Sequence, residues 1–279
     1  MKEILFEIGP FKIYGYGLMI AIGVIAAFAV AMYREKKWKI GDDKVFDLGI
    51  WSLVGGLIGA KLLFWITELP SLIENPAKIW STMSTGFVVY GGLIGGILAG
   101  YLFCRVKKLV FLKYFDLVMP SIALAQAFGR VGCFLAGCCY GRETHADWGI
   151  IFQESAYAPN GVSLIPTQLI SSGLNFLNFL ALILIARRTK KNGQVGALYL
   201  VFYSIGRFVL EFFRGDPRGN VGALSTSQFI AIFMLIAGIA IFVGCGRKKD
   251  SEAEAAAEAA DGEEENASAE QEPEEETEK

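Results

Sequence analysis

Apolar residues in this chain come in long unbroken runs rather than in strict alternation. A run of about 20 such residues is what a helix needs to cross the hydrocarbon of a bilayer. Runs of roughly that length fall at 14–33, 45–66, 86–104, 115–139, 167–186, 194–213 and 227–245, which predicts an all-α polytopic membrane protein with about seven transmembrane helices. The fourth run contains Pro120, Gln126 and Arg130, and the sixth contains Arg207 and Glu211. Hydropathy supports these two less than the alternation of their flanking loops does. The first run has neither a basic lead nor an A-x-A-like exit, so it is read as a span and not as a cleaved signal peptide.

Polar segments between the runs set an orientation. Arg34, Lys36, Lys37, Lys39 and Lys44 follow the first run, Arg105, Lys107, Lys108 and Lys113 the third, Arg187, Arg188, Lys190 and Lys191 the fifth, and Arg247, Lys248 and Lys249 the seventh. The opposite junctions carry only Lys78, Arg142, Arg214 and Arg218, with Lys2 and Lys12 ahead of the first run. Cytoplasmic loops concentrate Lys and Arg, so the N-terminus is expected outside and the C-terminus in the cytoplasm. Within the second and third runs, Gly55, Gly56 and Gly59 and Gly91, Gly92, Gly95, Gly96 and Gly100 recur at small-xxx-small spacing. Helices in lipid lack a hydrophobic drive to associate, and such glycines let their backbones approach closely, so the stripes are read as packing surfaces.

Composition sharpens this picture in two places. Hydrophobic residues make up 53% of the 279 positions and mean hydropathy is +0.44, far above a soluble domain. Half of the 28 acidic residues lie between Asp250 and Glu278, so the net charge of -2 hides a basic core. That segment has no aromatic residue and too little apolar surface to offset the entropy of ordering. The chain therefore divides into a seven-helix transmembrane domain, 1–249, and a disordered acidic cytoplasmic tail, 250–279. Cys104, Cys133, Cys138, Cys139 and Cys245 are not at zinc-ribbon spacing. A disulfide or a metal contact is conceivable for Cys133 and Cys138, but packing is the preferred reading and no metal site is expected.

Ionisable groups inside spans are costly unless paired or wet, and Lys61, Arg130, Arg207 and Glu211 are such groups. They should face an interior cavity, with Arg130, Arg207 and Glu211 toward the outer face. Glu211 follows Arg207 by one helical turn, so an i,i+4 ion pair accounts for part of the pattern. A second arginine at similar depth points further, because two guanidinium forks suit a phosphodiester, and an anionic phospholipid headgroup is the ligand implied. No P-loop, Rossmann glycine pattern, GxSxG elbow, HExxH helix or DxDxDG loop is present, so nucleotide, serine-hydrolase and common metal chemistries lack support. No soluble cofactor and no nucleic-acid partner are expected. His145, the one histidine, sits beside Asp147 and Trp148 in a loop and is read as a surface residue.

The segment Gly129-Arg130-Val131-Gly132-Cys133-Phe134-Leu135-Ala136-Gly137-Cys138-Cys139-Tyr140-Gly141-Arg142 resembles the signature of the bacterial prolipoprotein diacylglyceryl transferases, in a cysteine-bearing form. Tyr14 to Met19, Gly86 to Gly92, Pro166 to Leu169 and Tyr203 to Arg214 support the likeness in the family's order, which covers all but the tail. The resemblance implies an enzyme of the bacterial plasma (inner) membrane that moves a diacylglyceryl group from phosphatidylglycerol to the lipobox cysteine of a prolipoprotein. Carried over by motif, Arg130 binds the lipid phosphate, Arg207 adds a second positive contact, and Glu211 orients Arg207. Tyr16 and Tyr203 supply hydroxyl hydrogen bonds, and Gly141 allows close backbone approach at the outer loop. Three departures from the commoner signature stand out. Tyr90 occupies the place where many members have a histidine proposed as general base, Cys133 and Cys138 replace an asparagine and an acidic residue on the substrate-binding segment, and Ile165 stands where a histidine is common. The base is left unassigned. Two competing readings are a non-catalytic phospholipid or anion transporter and a paralogue of drifted role.

Overall fold

The computed structural model describes residues 4–8, 11–39, 43–189, 191–217 and 219–245; the acidic segment 250–279, with its expected disorder, lies outside them. A short hairpin, β1 (Ile4–Ile8) and β2 (Phe11–Tyr14), leads into α1 (Gly15–Trp38). Then come α2 (Val45–Thr67), the short α3 (Leu69–Glu74) and α4 (Lys78–Ser81), α5 (Val89–Val106) and α6 (Phe111–Ala136). Two two-residue strands, β3 (Ile150–Ile151) and β4 (Ser163–Leu164), precede α7 (Thr167–Ala186) and α8 (Gln194–Glu211). A last ribbon, β5 (Asn220–Val221) and β6 (Leu224–Ser225), opens directly into α9 (Thr226–Cys245).

Among the described residues, six helices are long and apolar enough to cross a membrane: α1, α2, α5, α6, α7 and α9. The remaining expected span is α8, an 18-residue helix whose Arg207 and Glu211 dilute its apolar character. Element ends differ from the hydropathy runs for local reasons. The fourth run continues to residue 139, yet α6 stops at Ala136 because Gly137 adopts a left-handed φ of 72° and the Cys138 N–H turns back to the Cys133 carbonyl at 3.1 Å. This is the Schellman arrangement that satisfies a helix's last carbonyls. The three antiparallel ribbons are not announced by the apolar runs.

The bundle presents apolar side chains outward, as a protein solvated by lipid should, and buries polar residues among its apolar core. Val89 is 81% exposed and Ile25 69%, whereas Ser121, Thr167, Gln168, Asn175 and Ser204 are buried. Some polar groups find partners between helices: Ser172 Oγ donates to the Ala127 carbonyl (2.8 Å), joining α7 to α6, and the Glu35 carboxylate accepts the Lys44 and Val45 N–H groups (3.0 and 3.2 Å) at the start of α2. Asp116 of α6 accepts the Gly193 and Gly196 N–H groups (2.6 and 2.8 Å) at the start of α8. Each such bond contributes on the order of 0.6 kcal/mol in a membrane, so they set register more than bulk stability.

Helix α6 is the hub and packs against α1, α7 and α8, while α2 and α5 form a pair of their own. The α2–α5 contact is made by the glycine stripes. A Cβ on Gly59 would fall on the Gly91 carbonyl and within 2.9 Å of Gly95 Cα, and the corresponding site on Gly95 would strike Gly55 and Gly59. Gly59→Val should therefore destabilise the protein by about 1–3 kcal/mol through overpacking. A lowered midpoint of thermal unfolding in detergent is the expected result, and a midpoint equal to wild type would exclude backbone contact here.

Candidate active site

Three helix ends and one loop build the site. The segment Tyr140–Arg142, just beyond α6, is stitched between the start of α7 and the end of α8. Gly141 N–H donates to the Ile165 carbonyl (3.1 Å), Ile165 N–H to the Arg142 carbonyl (2.9 Å), Arg142 N–H to the Phe213 carbonyl (2.9 Å) and Gly215 N–H to the Tyr140 carbonyl (3.1 Å). Gly141 is required there, since a Cβ would lie 2.8 Å from Ile165 Cβ and 2.9 Å from Thr167 Cγ2. On the other side of α6, Gly132 lets α1 approach, with its Cβ position 3.2 Å from the Tyr16 carbonyl and ring.

This scaffold gathers the sequence-derived candidates into two groups. In the first, the Arg130 guanidinium lies within electrostatic range of the Tyr16 hydroxyl and the Cys133 thiol. Among the described residues Arg130 makes no hydrogen bond or ion pair, although it is partly buried. Tyr16, Tyr14, Ala136, Cys138 and Tyr157 line an adjacent cavity of about 410 Å³. In the second group, Arg207 Nη1 pairs with Glu211 Oε2 at 2.8 Å and Nη2 donates to Ser227 Oγ at 2.7 Å, which ties α8 to α9. The Arg207–Glu211 contact is an ion pair, not an aligned hydrogen bond.

Arg207 and Tyr203 line a cleft of about 310 Å³ between α7 and α8. Its rim includes the exposed Leu174, Leu177 and Phe202, so an acyl chain can enter sideways. Asn175 and Asn178 are also on its wall, and both amide atoms of Asn178, 8% exposed, have no hydrogen-bond partner among the described residues. A polar side chain at mid-span was the available signal for these two, and the apolar periodicity of α7 conceals it.

Tyr90 stands with neither group. It occupies the second position of α5, 41% exposed, and makes no hydrogen bond among the described residues. What fixes that region is Lys61, buried in α2, whose ammonium donates to the Thr82, Thr85 and Gly86 carbonyls and lies 4.8 Å from the Phe87 ring centroid. The intramembrane lysine thus ties down the loop that precedes Tyr90. His145 is exposed.

Around Cys139 the chemistry is unusual. The Sγ atoms of Cys133, Cys138 and Cys139 lie within 4.8 Å of one another, and no disulfide joins them. Hydrogen bonds from the Cys133 and Cys138 thiols, and then the Arg214 guanidinium, hold the Cys139 thiol well below the usual range, while the same sulfur contacts push Cys138 up. Burial disfavours charge on Arg214, but a bidentate contact with Asp216 (2.8 and 3.0 Å) and the Cys139 sulfur outweigh it and raise Arg214. Sequence reasoning missed Arg214, Thr167 and Gln168 as supports of this turn; Thr167 Oγ1 donates to the Cys139 carbonyl (2.9 Å) and Gln168 Nε2 to the Cys138 carbonyl (2.8 Å).

The profile described as Prolipoprotein diacylglyceryl transferase matches residues 3–244. The chain belongs to that family. A curated relative from Clostridium tetani (strain Massachusetts / E88), named phosphatidylglycerol–prolipoprotein diacylglyceryl transferase, is 48% identical over 242 residues, 87% of this chain and 97% of its own. One from Clostridium perfringens (strain 13 / Type A), named as transferase 2 of the same kind, is 46% identical over 243 residues, 87% of this chain and 94% of its own. A third, from Finegoldia magna, is 35% identical over 242 residues. For this diacylglyceryl transferase family member, the matched span covers both residue groups, both cavities and Tyr90. It ends one residue before α9 does.

Proposed function

We propose that the chain transfers the diacylglyceryl group of phosphatidylglycerol to the lipobox cysteine of prolipoproteins, the first step of bacterial lipoprotein maturation. The observation that carries this reading is its similarity, over nearly their whole length, to relatives named for that reaction. The enzyme works in the bacterial plasma membrane with its N-terminus outside, so that the ends of α6 and α8 face the exported substrate. Residues 1–249 carry the reaction, and 250–279 lie in the cytoplasm.

The chemistry is a displacement at carbon. The peptide thiolate attacks the diacylglyceryl carbon, the carbon–oxygen bond to phosphate breaks, and glycerol phosphate departs with the electron pair and takes up the proton lost by the thiol. Negative charge moves from sulfur to phosphate oxygen, so fixed cations placed for the departing phosphate stabilise the transition state. Arg130, partly buried and without a hydrogen bond or ion pair among the described residues, binds that phosphate. Arg207 adds the second positive contact at the α7–α8 cleft, where Glu211 and Ser227 orient it. Tyr16 and Tyr203 offer hydroxyl hydrogen bonds at the two cavity walls, and Asn178 offers its unpaired amide to the hydroxyls of the glycerol headgroup. Cys133 lines the phosphate end, and Gly141 permits the close outer turn.

Transfer of a labelled diacylglyceryl group from phosphatidylglycerol to a lipobox peptide by the purified protein in detergent tests this. Thioether-linked label on the cysteine peptide and none on its Cys-to-Ser counterpart is the expected result. No transfer by folded protein that still binds phosphatidylglycerol would replace the reading with that of a lipid carrier or a drifted paralogue.

A further inference from the structure

We propose that Cys133, Cys138 and Cys139 form a binding site for a thiophilic cation of the Zn²⁺ class, at the junction of α6 and the turn that follows it. The donor set is local and preorganised. Cys133 sits in the last turn of α6, and the reversal at Gly137 (φ 72°) returns the next two cysteines to it, with the Cys138 N–H on the Cys133 carbonyl. Cys139 itself holds a left-handed φ of 63°, a conformation that side-chain-bearing residues rarely adopt and that persists only where its surroundings impose it. Thr167 and Gln168 pin the carbonyls of the same two residues, which fixes the backbone of the turn that carries the thiols.

Distances and charge fit the ion. Zn–S bonds of about 2.3 Å in tetrahedral geometry place sulfurs roughly 3.8 Å apart. Three Sγ atoms already within 4.8 Å reach that separation by small side-chain rotations. Binding exchanges three thiol protons for one divalent cation, and the resulting assembly carries a single negative charge. Two cations stand ready to offset it: Arg130 beside Cys133, and Arg214, held by Asp216, beside Cys139. Thiolate donors select soft metals over Mg²⁺ or Ca²⁺. The 410 Å³ cavity lined by Cys138, Tyr16 and Tyr157 gives an entry path. Packing alone explains small apolar side chains at these places; it does not require three sulfurs turned toward each other beside two guanidiniums.

The site rests on no assumption about the transfer reaction, and its test reads the metal directly. Purified, reduced, chelator-treated full-length protein in detergent is titrated with Co²⁺ and then Zn²⁺. One equivalent of Co²⁺ should bind with a near-ultraviolet sulfur-to-cobalt charge-transfer band, and Zn²⁺ should displace it. Cys138→Ser and Cys139→Ser should each weaken binding by at least about tenfold, whereas Cys104→Ser and Cys245→Ser should leave it unchanged. Alkylation mapped by peptide mass keeps the question open to decision even where a variant folds poorly: Zn²⁺ should protect Cys133, Cys138 and Cys139 in the wild-type chain. Absence of the band, equal alkylation with and without Zn²⁺, or an intact mass low by two hydrogen atoms that marks a disulfide among the three would each overturn the proposal.

Discussion

Arg130→Ala is expected to lower transfer to the lipobox peptide by about 10²–10³-fold or more, the loss typical of removing one preorganised donor from a developing oxyanion. The expectation follows from what Arg130 does not do in the fold. It is partly buried near the end of α6, yet among the described residues it makes no hydrogen bond or ion pair, so truncation breaks no protein contact of that kind. A stability change within about 0.5 kcal/mol is expected, as for positions away from buried networks. Arg130→Lys keeps the charge and loses the planar fork, so it should recover part of the activity and not all of it. Side-by-side label transfer and thermal unfolding decide the matter: ordinary turnover in Arg130→Ala would remove the phosphate-binding role.

Much of this arrangement is readable in the chain because lipid imposes a simple rule. A span must be about 20 apolar residues with its backbone bonds satisfied internally, and all seven runs are helical in the structure. Small-xxx-small spacing likewise marks α2 and α5 as packing surfaces before any coordinates are seen, and the structure shows that the two stripes meet each other. The ion pair between Arg207 and Glu211 is local, one helical turn long, and equally legible.

Other features depend on pairings that no local pattern carries. The Gly141 segment meets Ile165 and Gly215, more than 20 and more than 70 residues further on, through backbone hydrogen bonds whose identity is independent of side-chain type. The roles of Lys61 and Gln168 are hidden for the same reason, because each donates to carbonyl groups, and carbonyls leave no mark in a sequence. The cysteine spacing could be read, but the direction of the thiols depends on two left-handed residues in one turn. That Arg207 lines the α7–α8 cleft and Arg130 does not follows from how α7 and α8 pack and not from their depth along the chain.

The second large effect concerns the Arg207–Glu211 pair, where structure and catalysis must be separated. Glu211 is 8% exposed, and Glu211→Ala strands the Arg207 guanidinium in a site built for a carboxylate. Removing one partner of a buried pair costs about 3–5 kcal/mol, so this variant should be both unstable and inactive, and its inactivity alone would teach little. Replacing both partners with apolar side chains of similar volume is often neutral or stabilising, because two desolvated charges leave together. The double variant Arg207→Met/Glu211→Leu should therefore unfold near the wild-type temperature and still fail to transfer the diacylglyceryl group, having lost the second cation at the cleft. Thermal unfolding in detergent and label transfer on the same preparation provide the comparison. A stable double variant with wild-type activity would mean that the pair serves only to hold α8 in the bundle, and that the departing phosphate is stabilised elsewhere.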